Sequence, residues 1–172
     1  MKKKMILVWA CLMAAVIGCA GCSQTQQESR PTQESNSSQE TGYVFEYKGT
    51  AIAMNADMEA LLTALGEADS YFESPSCAFQ GMDKVYTYGS IVITTYPEGS
   101  KDFVYTVELK DDLVKTPEGI SIGSSRSAVT AAYGTPTRES DTSLVYGKGD
   151  SELTFIFDGD SVKNILYMSI TK

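Results

Sequence analysis

The chain repeats itself, and the repeat limits what it can fold into more than any other feature does. Ile52-Ala53-Met54-Asn55 through Leu65-Gly66 aligns without gaps with Ile120-Ser121-Ile122-Gly123 through Tyr133-Gly134, at a constant offset of 68 residues. Ile52/Ile120, Ala60/Ala128, Ala64/Ala132 and Gly66/Gly134 are identical pairs, and Leu61/Val129 and Leu65/Tyr133 stay apolar. Each copy has the same grammar: a short extended piece ending in a polar turn, one helix, then several strands.

The helices follow from spacing and from their ends. In the first copy Asn55 can cap the free amides, Met58, Leu61, Leu62 and Leu65 fall on one helical face, and Gly66 supplies a left-handed stop. In the second, Ser124 caps, Ala128, Val129, Ala132 and Tyr133 form the stripe, and Gly134 followed by Pro136 ends it. The strands also correspond. Ile91 to Tyr96, the turn Pro97-Glu98-Gly99 and Phe103 to Leu109 match Leu153 to Phe157, the turn Asp158-Gly159-Asp160 and Val162 to Ile170. Alternation puts Phe103, Tyr105, Val107 and Leu109 on one face against Val104, Thr106 and Glu108, and sets Leu153, Phe155 and Phe157 against Thr154 and Ile156. Earlier strand pieces run from Tyr43 to Lys48, Val85 to Tyr88 and Leu144 to Gly147. The expected fold is therefore α+β: two tandem β-α-β-β-β repeats, residues 42–115 and 116–172, with helices packed on one face of an antiparallel sheet.

The pattern Gly123-Ser124-Ser125, Val129, Tyr133-Gly134-Thr135-Pro136, then Val145-Tyr146, Leu153 to Phe157 and Val162 to Tyr167 resembles two related groups. One is the repeat unit of secreted beta-lactamase inhibitory proteins. The other is the small outer-membrane lipoprotein of the β-barrel assembly machinery. The resemblance implies helical elements on an antiparallel sheet, and the inhibitory proteins carry two such units in tandem. Fold-level analogy does not transfer activity. The first copy departs from the pattern, with Glu67-Ala68 in place of Thr135-Pro136 and roughly ten extra residues between helix and strand, around Tyr71 to Met82.

The start of the chain reads as an export signal. Three lysines (Lys2, Lys3, Lys4) precede an apolar run from Met5 to Gly18, too short to span a bilayer comfortably, and Val16-Ile17-Gly18-Cys19 has the form of a bacterial lipobox. Small and apolar residues before the cysteine fit a membrane-embedded peptidase, and the thiol receives a diacylglyceryl group before cleavage. The expected division is a signal peptide at 1–18 and lipidation at Cys19, with Cys22 after Ala20-Gly21 as the alternative. Residues 19–41 then form a tether. From Ser23 to Thr41 no aliphatic or aromatic residue occurs, so that segment cannot bury enough surface to offset the entropy of ordering. The expected place is the cell membrane, lipid-anchored at its extracytoplasmic face.

All 22 acidic residues lie beyond position 18, with 11 of the 14 basic ones, leaving a net charge of −11 there. Nucleic acid is excluded as a partner, and membrane contact has to rest on the acyl anchor. Catalytic chemistry is thinly provided. The absence of histidine removes the usual general base and the usual borderline-metal ligand. Cys77 has only Lys84 near it in sequence as a base. Glu67/Asp69, Asp111/Asp112 and Asp158/Asp160 sit at helix ends or turns, where such residues bond locally. Asp158-Gly159-Asp160-Ser161 lacks the further ligands of a calcium loop, and no phosphate loop is present. No cofactor and no metal are implied.

What remains for binding is the sheet face opposite the helices, expected to carry Val92, Thr94, Tyr96, Val104 and Thr106, joined by Thr154 and Ile156. The expected function is that of a non-catalytic, membrane-anchored protein-interaction module acting through this face or the long loop near Cys77. The alternatives are a small-solute or peptide binder with a pocket between the repeats, and a hydrolase built on clustered carboxylates.

Overall fold

The computed structural model describes residues 42–170. All the described residues belong to one compact unit. The expected signal peptide, Cys19, Cys22 and the 19–41 tether lie outside the described residues.

A hairpin, β1 (Val44–Tyr47) and β2 (Thr50–Ala53), leads into helix α1 (Met58–Leu65) and four strands: β3 (Ser70–Pro75), β4 (Met82–Tyr88), β5 (Ile91–Glu98) and β6 (Lys101–Leu109). Helix α2 (Arg126–Tyr133) and four more strands follow: β7 (Arg138–Ser140), β8 (Ser143–Lys148), β9 (Ser151–Asp158) and β10 (Ser161–Ser169). β3 to β10 form one eight-stranded antiparallel sheet in the order β3-β4-β5-β6-β10-β9-β8-β7. It is two four-stranded meanders joined last strand to last strand. The fold is α+β, with helices packed against a mainly antiparallel sheet.

Period-2 alternation builds the core. One row runs across the sheet through Tyr88, Ile91, Leu109, Ile165, Phe155 and Leu144, and the next through Tyr86, Ile93, Val107, Tyr167, Leu153 and Tyr146, each residue facing the next across a strand pair. All twelve are buried, in one cluster with Phe45 and Ile52 of the hairpin, Met58 and Leu61 of α1 and Val129 of α2. Helices of eight residues are marginal alone in water, so this packing is what holds them.

The helix starts correct the expected caps. Asp57, not Asn55, caps α1, its Oδ1 accepting from the Glu59 amide at 3.0 Å. Ser125, not Ser124, caps α2, its Oγ accepting from the Ala128 amide at 3.2 Å. The residues before each cap are held by a strand instead. Asn55 N donates to Val104 O at 3.0 Å and Val104 N to Ala56 O at 2.9 Å; Gly123 N donates to Val162 O, and Val162 N to Ser124 O, both at 2.8 Å. Asn55 and Gly123 both have positive φ, 62° and 89°, the turn that lets the chain leave the strand for the helix. Glycines do end both helices at positive φ, 77° at Gly66 and 74° at Gly134, but with extended ψ of −161° and −138° rather than the left-handed helical turn expected.

Further bonds recur at matching places. Tyr88 Oη donates to Gly66 O at 3.1 Å, and Tyr146 Oη to Gly134 O at 3.4 Å. Gly89 N donates to Asp69 Oδ2 at 2.6 Å, and Gly147 N to Thr137 Oγ1 at 2.9 Å.

Other expectations need correction. Residues 71–75, taken as part of an insertion, belong to strand β3, and β7 was not foreseen. Each helix is therefore followed by four strands. No strand lies between β6 and α2: Ile120 is tied into a local turn, its amide bonding Thr116 Oγ1 at 3.1 Å while its carbonyl accepts from Thr116 N at 2.8 Å. The strict alternation read for β6 also breaks, because the register shifts between Thr94 and Thr95. Thr94 faces Thr106 and Thr95 faces Val104, leaving Tyr105 as an extra residue. Val104 is thereby turned to the helix side and fully buried.

Ile165 sits where the two meanders join, facing Leu109 and Phe155. Ile165→Ala is expected to cost about 2–5 kcal/mol of unfolding free energy, measured by urea titration, in a single transition that reports both meanders together.

Candidate functional site

The face of the eight-stranded sheet turned away from the helices carries two cross-strand rows. One runs Phe72, Val85, Thr94, Thr106, Met168 and Glu152; the other runs Thr87, Val92, Glu108, Leu166, Thr154 and Val145. Ile156 lies beside them, facing Asn164 and Ser143. The expected residues Val92, Thr94, Thr106, Thr154 and Ile156 thus share one surface. The four on the central rows are half-buried by their neighbours, while Ile156 is 39% exposed and Phe72, on the edge strand, 62%. Val104 does not belong there; the bulge that buries it is the physical reason. Leu166, Met168 and Phe72 do belong. Alternation from the inward-facing Ile165 and Tyr167 would have revealed the first two. Phe72 carries no such signal, because β3 is exposed along nearly its whole length and shows no apolar alternation.

Two carboxylates on this face are held by side-chain bonds, one from a cation and one from a neutral amide. Arg138 reaches across β8 to grip Glu152 with two bonds of 2.7 Å. The Arg138 guanidinium draws the Glu152 carboxyl below the ordinary glutamate value, against the upward push of burial. Asn164 Nδ2 donates to Glu108 Oε1 at 2.6 Å.

Tyr96 starts on the same side but leads to a different feature. Beyond the bulge its ring lies among Phe79 (centroids 5.0 Å apart), Phe103 (5.8 Å) and Tyr105 (6.1 Å). Its hydroxyl donates to Asn55 Oδ1 at 3.2 Å, and Asn55 Nδ2 donates to Asp150 Oδ2 at 2.9 Å. Asn55, Phe79, Tyr96 and Asp150, with Pro97, Glu98 and Ile170, line a groove of about 430 Å³. Burial first, then the charges of Glu98 and Asp150, push the Tyr96 hydroxyl above the ordinary tyrosine pKa. Phe79 is placed by the loop 76–81, whose Ser76 Oγ accepts from the amides of Ala78 (3.3 Å) and Phe79 (3.1 Å). Gly81 closes that loop at φ 134°, so near Pro97 that a Cβ would come within 2.9 Å of its ring.

Cys77 is exposed in this loop as a free thiol. The acidic pairs are spread through turns. Asp69 accepts from Gly89 N, Asp111 Oδ1 accepts from Leu113 N at 3.0 Å, and Asp158 and Asp160 flank the β9–β10 turn at Gly159, φ 60°. Among the described residues no group of three or more histidine, cysteine or acidic side chains is placed to hold a metal ion. No family model, no curated protein and no solved structure matches the chain.

The Arg138–Glu152 pair has a pH signature. With the folded carboxyl lowered, its contribution is complete above the ordinary glutamate pKa of 4.5 and is lost as pH falls through the folded value. The stability gap between the parent and Glu152→Gln in urea titrations should be constant from pH 7 to about 6. It should narrow in more acid solution, and a gap that stays unchanged would mean the ion pair adds nothing.

Proposed function

We propose that this is a non-catalytic lipoprotein, anchored at the extracytoplasmic face of the cell membrane, that binds a protein partner on the open face of its sheet. The observation that carries this reading is a continuous eight-stranded sheet covered by helices and hairpin on one side only. Seven strand spacings of about 4.8 Å and some six residues of about 3.3 Å give a surface of about 700 Å². One side of a standard protein–protein interface is about 800 Å². Leu166, Met168, Val92, Ile156 and Phe72 supply apolar contact among threonines. Of the carboxylates on its cross-strand rows, Glu152 is already neutralised by Arg138, while Glu108, bonded only by the neutral Asn164 amide, keeps its charge for a partner to meet.

The reading includes two tandem units, 42–115 and 116–172, each a helix followed by four strands. The recurring bonds at Gly66/Gly134, Asn55/Gly123 and Asp69/Thr137 support it. So does the sheet order, which runs identically inward from either edge. The resemblance to beta-lactamase inhibitory proteins points in the same direction. The local bonding of the turn carboxylates supports a role without catalysis. Anchoring rests on the Cys19 lipobox, and the surplus of negative charge leaves the acyl group as the link to the bilayer.

Cross-linking on intact cells, with the anchored protein captured and its partners identified by mass spectrometry, tests the interaction. A protein captured by the parent and lost from Thr94→Arg/Thr154→Arg is the expected result; an identical set from both forms would refute the sheet face. Cys19→Ala should abolish acyl labelling and release the protein. Labelling that persists would move the anchor to Cys22.

A further inference from the structure

The groove beside Tyr96 has features that the sheet face does not need. Five separate stretches of chain converge on it: the β2–α1 turn, the 76–81 loop, the end of β5, the β8–β9 turn and the end of β10. Its volume of about 430 Å³ falls in the range of small-ligand sites, about 300–1,000 Å³. One wall is aromatic, Phe79 against Tyr96. Its ionised lining side chains, Glu98 and Asp150, are both acidic, with no lysine or arginine among the lining residues.

The polar side is held in place before any ligand arrives. Asn55 keeps a left-handed backbone, φ 62°, uncommon outside glycine, because its amide is locked to Val104 and its side chain is pinned from two directions. Those contacts use one of the two Nδ2 hydrogens and one of the two Oδ1 lone pairs. One donor and one acceptor remain, the complement of a peptide unit's C=O and N–H. Glu98 makes no salt bridge or side-chain hydrogen bond among the described residues, so its carboxylate has a full set of acceptor sites.

Lys101, across the hairpin from Glu98, is committed to Asp57, so an aromatic wall beside two carboxylates with no cation in the lining selects an organic cation. Guanidinium fits best, since it stacks on rings, binds carboxylates with a planar fork and is weakly hydrated. A free alkylguanidine would fill only part of the space and leave the Asn55 amide unused. We infer that the groove is a binding site for an arginine-bearing peptide segment, with the guanidinium stacked on the Phe79–Tyr96 wall against Glu98 and Asp150 and the peptide backbone bonded to Asn55. The site is separate from the sheet face: it lies at the strand ends and shares with it only Tyr96 of the residues expected there.

Titration of the full chain with Nα-acetyl-arginine methylamide, followed by amide NMR shifts, tests the assignment. Its citrulline analogue, equal in shape and uncharged, and agmatine, which has the guanidinium but no peptide unit, are the controls. Saturating shifts centred on Asn55, Phe79 and Asp150 are expected. Binding should be at least tenfold weaker for citrulline and several-fold weaker for agmatine, and should decline with added salt. Glu98→Gln, an exposed change at a hairpin end that leaves the fold intact, should weaken the arginine ligand about tenfold and leave the citrulline analogue unaffected. Agmatine binding as well as the peptide mimic would overturn the peptide assignment. Equal binding of arginine and citrulline, or shifts that do not localise, would overturn the site. Neither result bears on capture by the sheet face, which Thr94→Arg/Thr154→Arg reads separately.

Discussion

The pairing of β6 with β10 is the contact on which the rest of the structure depends. Leu109 with Ile165 and Val107 with Tyr167 join two four-stranded meanders into one sheet, and all four side chains are buried. Separated there, each meander would present an apolar last strand with unpaired backbone groups. Joined, they give a core that runs unbroken from Tyr88 to Leu144. That continuity gives the opposite face its width.

One-sided covering follows from the same economy. Two eight-residue helices and a short hairpin supply enough apolar surface to close one face, through Met58, Leu61, Val129, Phe45 and Ile52. Each helix is fixed at its start by a pair of backbone bonds to the last strand of its own meander, and at its end by a glycine whose carbonyl receives a tyrosine hydroxyl. The tyrosines stand on β4 and β8, so strand and helix are locked together at both ends. Asn55 takes part in this anchoring and also faces the groove, so the first helix start and the wall of the groove are set by one residue.

The helices, their glycine stops, the central strands and part of the open face were legible because each rests on local periodicity: Met58, Leu61 and Leu65 at helical spacing, Leu153, Phe155 and Phe157 at strand spacing. What escaped depends on partners distant in sequence. The caps fell on Asp57 and Ser125 because Val104 and Val162 claim the residues before them. Val104 changed faces because of a bulge, which alternation alone does not announce. β3 and β7 are edge strands, exposed along nearly their whole length, so neither carries the apolar alternation that marks a strand. The groove could not be read at all, since Asn55, Phe79, Tyr96 and Asp150 span almost a hundred positions and meet only in the folded chain.

The seam between β6 and β10 also has a kinetic side. Every other pairing in the large sheet is a hairpin between consecutive strands, closed over a few residues, whereas the bond from Asn164 to Glu108 spans 56. Local pairs form early and long-range closure comes last. In that interval each half carries an unpaired, water-averse final strand matched in shape and register to the missing half, and a second copy of the chain offers the same strand. Exchange of halves between two molecules, with residues 110–122 as the connecting hinge, is therefore the misassembly to which this architecture is most open. Prompt closure of Leu109 onto Ile165 of the same chain, once both meanders have formed, is the protection against it.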